Sequence, residues 1–168
     1  MDIMPFLSVI LPSYNERRNL QRGVLREVYD FLQDYEKNWE LILSDDGSED
    51  GTLDELKKFA TIDKRIQVLS NPHRGKGPTV KAGMLAASGQ WRLFADFDQS
   101  TPLREVRQLL KYRHDYQIII GSREAEGAKR EKEPFYRHLM GRVFNLVVQI
   151  FAAPGIKDSQ CGFKLFSE

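Results

Sequence analysis

The sequence has one cysteine, three histidines and almost no excess of charge of either sign. Because a disulfide needs two cysteines, Cys161 cannot form one within the chain, and this fits a reducing compartment. The formal net charge of +1 gives no support to nucleic-acid binding, which usually shows a basic face. His73, His114 and His138 lie far apart in the sequence and therefore indicate neither a catalytic triad nor a zinc site.

Long apolar runs and a secretory signal are also missing. No stretch approaches the roughly 18 apolar residues that would span a bilayer, and the longest candidate, residues 143–153, contains Asn145 and Gln149. The opening residues MDIMPF lack the basic segment that begins a signal peptide. We therefore expect a cytoplasmic protein that does not span a membrane by itself and can still lie on the surface of one.

What the sequence does have is an alternation of strand-like and helix-like segments. Short apolar, β-branched runs alternate with segments whose apolar residues recur at helical spacing. This alternation predicts one α/β domain over residues 1–168, with a mostly parallel sheet flanked by helices. The predicted strands are 6–11, 39–43, 66–69, 91–95 and 117–120, and the predicted helices are 16–32, capped by Asn15, then 52–59, 79–87 and 102–110.

Polar clusters follow the predicted strands again and again. In open α/β sheets ligands bind at the carboxyl ends of the strands. We therefore expect these clusters to meet at one edge of the sheet and to form a site there. The clusters are residues 13–16, 44–48, 71–76, 96–101 and 122–123.

Asp96 and Asp98 follow the fourth predicted strand. Residues i and i+2 of a strand share a face, so the two carboxylates can converge on one divalent cation. An oxygen-only site suits Mg²⁺ or Mn²⁺. The alternative interpretation is an ordinary polar exit from a strand.

Two other loops carry chemistry that a nucleotide could use. A carboxylate in Asp45-Asp46-Gly47-Ser48 could accept a hydrogen bond from a base or a ribose, and the alternative is a plain turn. The Gly75-Lys76-Gly77 loop could offer backbone N–H groups and a lysine to a phosphate, and the alternative is a solvated glycine turn. The spacings of a P-loop and of a dinucleotide-binding glycine motif are both absent.

The late part of the chain combines arginines with an apolar stretch. Arg123 and Arg137 are among four arginines there that could bind phosphate groups, although scattered surface charge explains them as well. Residues 135–153 fit either a core helix or a helix that lies on a bilayer with its arginines near the headgroups.

Taken in chain order, these motifs resemble those of family 2 glycosyltransferases with the GT-A fold. The resemblance extends to the dolichyl-phosphate β-glucosyltransferase branch and its polyprenyl-phosphate relatives, with dolichyl-phosphate mannose synthase as a cousin. It covers nearly the whole chain. The motifs are Val9-Ile-Leu-Pro-Ser-Tyr-Asn-Glu16, Asp45-Asp-Gly-Ser48, Gly75-Lys-Gly77, Asp96-Phe-Asp98, Gly121-Ser-Arg123 and Asp158-Ser-Gln-Cys-Gly-Phe-Lys-Leu-Phe166.

The resemblance implies a role for each matching residue. Asp96, Asp98 and Arg123 would be catalytic, with Asp96 and Asp98 holding the metal on the donor diphosphate. Arg123 and Arg137 would bind the acceptor phosphate. The acceptor-side loop would include Gln160, Gly162 and Lys164. The nucleotide sugar would contact Pro12, Tyr14, Glu16, Asp46, Lys76 and Asp96.

The activity that the resemblance implies is an inverting, Mg²⁺- or Mn²⁺-dependent transfer of a hexose. Glucose would pass from UDP-glucose to a polyprenyl or dolichyl phosphate at the cytoplasmic face of a membrane. Three alternatives stay open: mannosyl transfer from GDP-mannose, a glycan acceptor, and a nucleotide-sugar-binding fragment without turnover. Catalytic domains of this family continue beyond the Gly162–Phe166 element, so we expect the GT-A domain to be incomplete at the C-terminus.

Overall fold

The computed structural model describes residues 4–35, 37–122 and 161–168. Its strands are β1 Leu7–Ser13, β2 Trp39–Asp45, β3 Ile66–Ser70, β4 Trp91–Ala95, β5 Ile118–Ile120 and β6 Phe163–Ser167. Its α-helices are α1 Arg17–Gln21, α2 Val24–Gln33, α3 Thr52–Ala60, α4 Lys76–Ala86 and α5 Val106–Leu109, with 3₁₀ turns at Leu103–Glu105 and Leu110–Tyr112.

The strands form one mostly parallel sheet in the order β3-β2-β1-β4-β6-β5. The predicted fold class is therefore confirmed. Strand β6 was not predicted, and it is antiparallel to both of its neighbours. Leu165 of this strand pairs with Leu93 of β4 on one side and with Ile119 of β5 on the other. Strand β6 therefore links β4 to β5 in the sheet.

Both faces of the central strands are buried, which explains their continuous apolar sequences. One face, which includes Leu7 and Val9, packs against α2, α3 and α5 in the larger core cluster. On the other face Ile10 and Ile42 pack beneath α4. Gly83 allows the close approach of α4, because a Cβ at this position would lie 2.5 Å from Cγ2 of Ile10.

The helix predicted over residues 16–32 is wrong as a single element. It is interrupted at Gly23, whose φ of 85° is left-handed and favours glycine. Asn15 does not cap α1, because the N-cap residue is Glu16 and no side chain caps it. The Asn15 Oδ1 atom instead accepts a hydrogen bond from the Glu49 backbone at 3.0 Å. Asn15 therefore joins two loops at the carboxyl edge.

The strand predicted over residues 6–11 continues as β1 to Ser13 and includes Pro12. Its pairing with β4 extends only from Leu7 to Ile10, whereas its pairing with β2 continues to Ser13. Proline is tolerated there because one side of the backbone needs no partner.

None of the helices in the described ranges is long and apolar enough to cross a membrane. The helix predicted within residues 135–153 lies outside those ranges.

Candidate functional site

The loops that follow β1, β2 and β3 are bonded to one another at the carboxyl edge of the sheet. The backbone N–H of Asp46 donates to the Ser13 carbonyl at 2.8 Å, and that of Asn15 donates to Ser48 Oγ at 2.9 Å. The Asn71 amide donates to Ser44 Oγ at 3.0 Å and to the Asp45 carbonyl at 2.9 Å. The predicted meeting of the polar clusters is thus confirmed for these loops.

Asp45 is fully buried and shapes the loop in which it lies. Its Oδ1 accepts hydrogen bonds from Ser48 Oγ at 2.6 Å and from Ser13 Oγ at 3.1 Å. Its Oδ2 accepts the Ser48 backbone N–H at 2.9 Å. The Asp45 carboxylate therefore points into the loop after β2 and holds Ser48 and Ser13 in place.

Asp46 is also buried, and it secures the start of α4. Its carboxylate accepts Thr79 Oγ1 at 2.8 Å and the backbone N–H groups of Arg74 and Gly75, each at 3.0 Å. Burial raises its pKa, but these bonds and the neighbouring His73 outweigh burial and hold the pKa below the ordinary value. Contact with the base or ribose stays a prediction for Asp46.

Tyr14 and His73 form an aromatic surface that the sequence analysis missed. Their rings are stacked with centroids 4.2 Å apart and planes inclined by 19°, and Tyr14 is 42% exposed. His73 Nδ1 lies 2.9 Å from Asp46 Oδ2 and 3.1 Å from the Asp46 carbonyl. Both atoms are acceptors, so Nδ1 carries the proton. The sequence analysis had set His73 aside because the three histidines lie far apart in the sequence, and no local motif connects it to Tyr14.

Asp96 and Asp98 flank the buried Phe97 at the end of β4. The Asp98 side chain is exposed, and its Oδ1 accepts the Ser100 backbone N–H at 2.9 Å. The Asp96 carbonyl accepts both the backbone N–H of Gln99 at 3.2 Å and its side-chain amide at 3.0 Å. This tight turn holds the two carboxylates beside the edge of the sheet.

Gly162 lies directly against Asp96. The Gly162 carbonyl accepts the Asp96 backbone N–H at 2.9 Å, and a Cβ at residue 162 would overlap the Asp96 carboxylate. Only glycine therefore allows Asp96 its observed position. The resemblance had placed Gly162 in an acceptor-side loop, and the structure adds this contact with a candidate metal ligand.

The pKa of Glu16 reflects the negative charges at this edge of the sheet. Burial raises its pKa, the amide of Asn19 lowers it, and the nearby charges of Asp98, Asp50 and Asp96 raise it further, so that the net shift is upward. The cluster therefore disfavours one more negative charge and favours an added positive one.

The carboxylates fit a divalent cation that is shared with a ligand. In the described part of the chain, no group of three or more His, Cys, Asp and Glu side chains is arranged to hold a metal ion. Asp96 and Asp98 supply hard oxygen ligands, which Mg²⁺ accepts in small number when phosphate oxygens and water complete its shell. Asp96 and Asp98 are therefore the residues that would hold such an ion.

Two lysines border the same edge. Lys76 Nζ lies 2.5 Å from Asp96 Oδ1 and 5.4 Å from the centroid of the Phe94 ring. Lys164 Nζ of β6 lies 5.8 Å from the same centroid. The predicted acceptor residues Arg123, Arg137 and Gln160 lie outside the described residues, and their roles remain predictions.

The mostly parallel sheet, with its polar loops joined at the carboxyl edge, has the architecture of the GT-A class. The family model for glycosyl transferase family 2 matches residues 8–168. The chain therefore belongs to glycosyl transferase family 2.

Relatives with similar sequences carry the name dolichyl-phosphate beta-glucosyltransferase. The dolichyl-phosphate beta-glucosyltransferases of Drosophila melanogaster and Dictyostelium discoideum are 36% and 34% identical to this chain, and the human one is 33% identical. Each of these matches covers 96% of this chain and 54% of the relative. The chain thus spans about half the length of the curated relatives it matches.

Solved structures share the fold. Mannosyl-3-phosphoglycerate synthase from Rubrobacter xylanophilus aligns with a TM-score of 0.68 at 16% identity over 97% of this chain and 53% of its own. The mannosyltransferase PcManGT from Pyrobaculum calidifontis, in complex with GDP-Man and Mn²⁺, aligns with a TM-score of 0.63 at 19% identity over 99% and 45%. At these identities the likeness supports the GT-A fold alone.

Proposed function

We propose that this chain is part of an inverting, metal-dependent glucosyltransferase that uses UDP-glucose and a dolichyl or other polyprenyl phosphate. The observation that carries the proposal is the Asp96 and Asp98 pair, placed beside Lys76 at the carboxyl edge of a family 2 sheet. The names of the similar proteins support glucose and dolichyl phosphate in particular.

The nucleotide half of the donor would lie near β1 and the loop after β3. Tyr14 and His73 would provide an aromatic surface for the base, and Glu16, two residues after Tyr14 in the sequence, would contact the ribose. Asp46 would act through the loop that it holds, since its carboxylate already accepts several hydrogen bonds. Pro12, buried at the end of β1, would shape the floor of this pocket.

The diphosphate half would lie over Asp96 and Asp98. A Mg²⁺ or Mn²⁺ ion bound there would supply Lewis-acid stabilisation of the leaving diphosphate. Lys76 contributes a positive charge at the same place, and such preorganised charge is most effective where negative charge develops during the reaction.

The acceptor would enter from the side of β6. A phosphate monoester is already anionic at neutral pH, so it can attack without a strong general base. Arg123 and Arg137 are proposed to hold this phosphate, with Gln160, Gly162 and Lys164 beside it. A single in-line displacement would invert the configuration at the anomeric carbon.

The lipid acceptor requires contact with a membrane surface. We place the protein on the cytoplasmic face, where the nucleotide sugar is available, and we propose that it contacts the bilayer peripherally. Co-sedimentation of the chain with vesicles that contain dolichyl phosphate tests this part of the proposal. The same sedimentation from vesicles without dolichyl phosphate would instead show general lipid binding.

The central experiment measures transfer of labelled glucose from UDP-glucose to dolichyl phosphate by the full chain with Mg²⁺ or Mn²⁺. Asp98→Asn should lower the rate at least about a hundredfold, because even outer partners of metal ligands typically contribute 10–100-fold. The control is Asp115→Asn, an exposed acid before β5 and away from this edge. Transfer from GDP-mannose alone, or to a glycan alone, would contradict the donor or the acceptor assignment. UDP binding with metal but without any turnover would favour a binding role.

A further inference from the structure

Lys76 forms an ion pair with Asp96, one of the two candidate metal ligands. Its ammonium lies 2.5 Å from Asp96 Oδ1, which is the carboxylate of a candidate metal ligand. The side chain of Lys76 is 59% exposed and that of Asp96 is 27% exposed. A divalent cation on the same oxygen would be repelled by this ammonium, so the two positive charges compete for Asp96.

The backbone beneath Lys76 is fixed, whereas its side chain is free to change partner. Gly75, the N-cap of α4, donates its N–H to Asp46, and Thr79 of the first turn donates its hydroxyl to the same carboxylate. Lysine is a point charge on a flexible four-carbon stem, so it can move from one anion to another without movement of the helix.

The surrounding charges make such an exchange favourable. Burial raises the pKa of Glu16, and an excess of negative charge from Asp98, Asp50 and Asp96 raises it further. A bound cation would reduce this excess, and a diphosphate that arrives with it would offer new anionic oxygens to Lys76.

We propose that Lys76 is an exchangeable counter-ion, which holds Asp96 before the metal binds and transfers to the donor diphosphate when the metal and the nucleotide bind together. The inference rests on the proposed function, since it assumes that the metal and the diphosphate meet at Asp96. Lys76 competes with the metal alone and supports the metal–nucleotide complex. It therefore makes the binding of metal and nucleotide interdependent, and this coupling is reciprocal.

The test is the Lys76→Met variant, examined with two ligands separately. Titration of Mn²⁺ alone, followed by electron paramagnetic resonance, should show about three- to fivefold tighter binding, the scale of a partly exposed ion pair. Calorimetric titration of UDP at saturating Mn²⁺ should show roughly tenfold weaker binding, because a charge-assisted contact with phosphate is lost. The opposite signs of the two effects distinguish exchange from other roles.

If Lys76 had a purely structural role, Lys76→Met would weaken the binding of both Mn²⁺ and UDP. If Lys76 only bound phosphate, Lys76→Met would leave the affinity for Mn²⁺ alone unchanged. Either result would overturn the proposal. Lys81→Met is the matched control, an exposed lysine of the same helix with the same loss of charge, and it should alter neither affinity. Lys76→Arg keeps the positive charge and should restore the low affinity for Mn²⁺ alone.

The same titrations distinguish a failure of the proposed function from a failure of the Lys76 exchange alone. If the folded wild-type chain binds no Mn²⁺ with or without UDP, then the metal assignment of Asp96 and Asp98 is wrong and the exchange falls with it. If the wild type binds both and Lys76→Met binds them equally well, then the exchange alone is wrong.

Discussion

Asp96 is held from two sides by residues that are distant from it in the sequence. Lys76 neutralises one carboxylate oxygen, and Gly162 leaves room for the group while its carbonyl accepts the Asp96 N–H. The position of the Asp96 carboxylate thus depends on the charge of Lys76 and on the absence of a side chain at Gly162. The charge can exchange with a ligand, whereas the space beside Gly162 is a fixed feature of the backbone.

Gly162→Ala should displace the Asp96 carboxylate. We expect roughly tenfold weaker binding of Mn²⁺ in the presence of UDP, on the scale of lost positioning of a metal ligand. The cost to the free energy of unfolding should be about 1–3 kcal/mol, as for other overpacked sites. Gly77→Ala is the control, because a Cβ there would meet no atom within 4 Å. Unchanged Mn²⁺ binding by Gly162→Ala would refute the positioning role.

At the scale of elements, carboxylates fix the loops between strands and helices. Asp45 and Asp46 do so at the carboxyl edge, and Asp63 does so at the opposite end, before β3. The Arg65 guanidinium donates to Asp63 through Nε at 3.0 Å and Nη2 at 2.6 Å, and it also stacks 3.7 Å from the Trp39 ring centroid. The turn is therefore joined to the start of β2.

The Asp63 turn predicts a dependence of stability on pH. Hydrogen bonds from Arg65, opposed by burial, lower the pKa of Asp63 from 3.8 to about 2. Because the folded pKa is depressed, the stabilisation is complete above pH 3.8 and is lost as pH falls through about 2. Asp63→Asn should cost roughly 1–2 kcal/mol at pH 7, a figure reduced for the partial exposure of Arg65.

Urea denaturation at several pH values measures this effect. The difference between wild type and Asp63→Asn should shrink as the pH falls from 4 towards 2. Asp34→Asn removes an exposed acid and should show no such trend. A constant difference across that range would show that the lost side chain acts through packing instead of charge.

At the scale of the whole molecule, residues 163–167 link two parts of the described sheet. Strand β6 lies between β4 and β5 and contributes Phe163 and Leu165 to the larger core cluster. The same strand begins beside Asp96, so its packing and the geometry of the site are linked. Loss of this strand would affect both the fold and the carboxylate pair.

Phe163→Ala should therefore destabilise the whole domain. Phe163 is 1% exposed, and truncation of such a side chain typically costs 3–5 kcal/mol. Phe166 of the same strand is only partly buried and points to the other face, so Phe166→Ala should cost much less. Thermal unfolding followed by circular dichroism compares the two variants. Equal losses would indicate that the inner face of β6 is no more important than the outer one.

Much of the fold could be predicted because its signals are local. The five predicted strands follow from short apolar runs, and the polar cluster after β4 follows from the composition of a strand end. The structure places Asp98 in the turn after β4, so the two-residue period of a strand does not extend to it. The single helix predicted over residues 16–32 was wrong because a helical apolar pattern continues across Gly23, whose left-handed backbone divides it. The spacing of apolar residues shows which side of a helix is buried, but it does not reveal a single residue, such as Gly23, whose backbone interrupts the helix.

The sequence by itself determined the α/β class and the edge of the sheet at which the polar loops meet, and the metal role of Asp96 and Asp98 stays a prediction. Only the tertiary structure decided that β6 enters between β4 and β5, that Tyr14 stacks on His73, and that Gly162 and Lys76 both contact Asp96. The physical reason is the range of the interactions. Strand and helix patterns arise from neighbours along the chain, whereas these contacts join distant segments and form only when the sheet and its helices pack together.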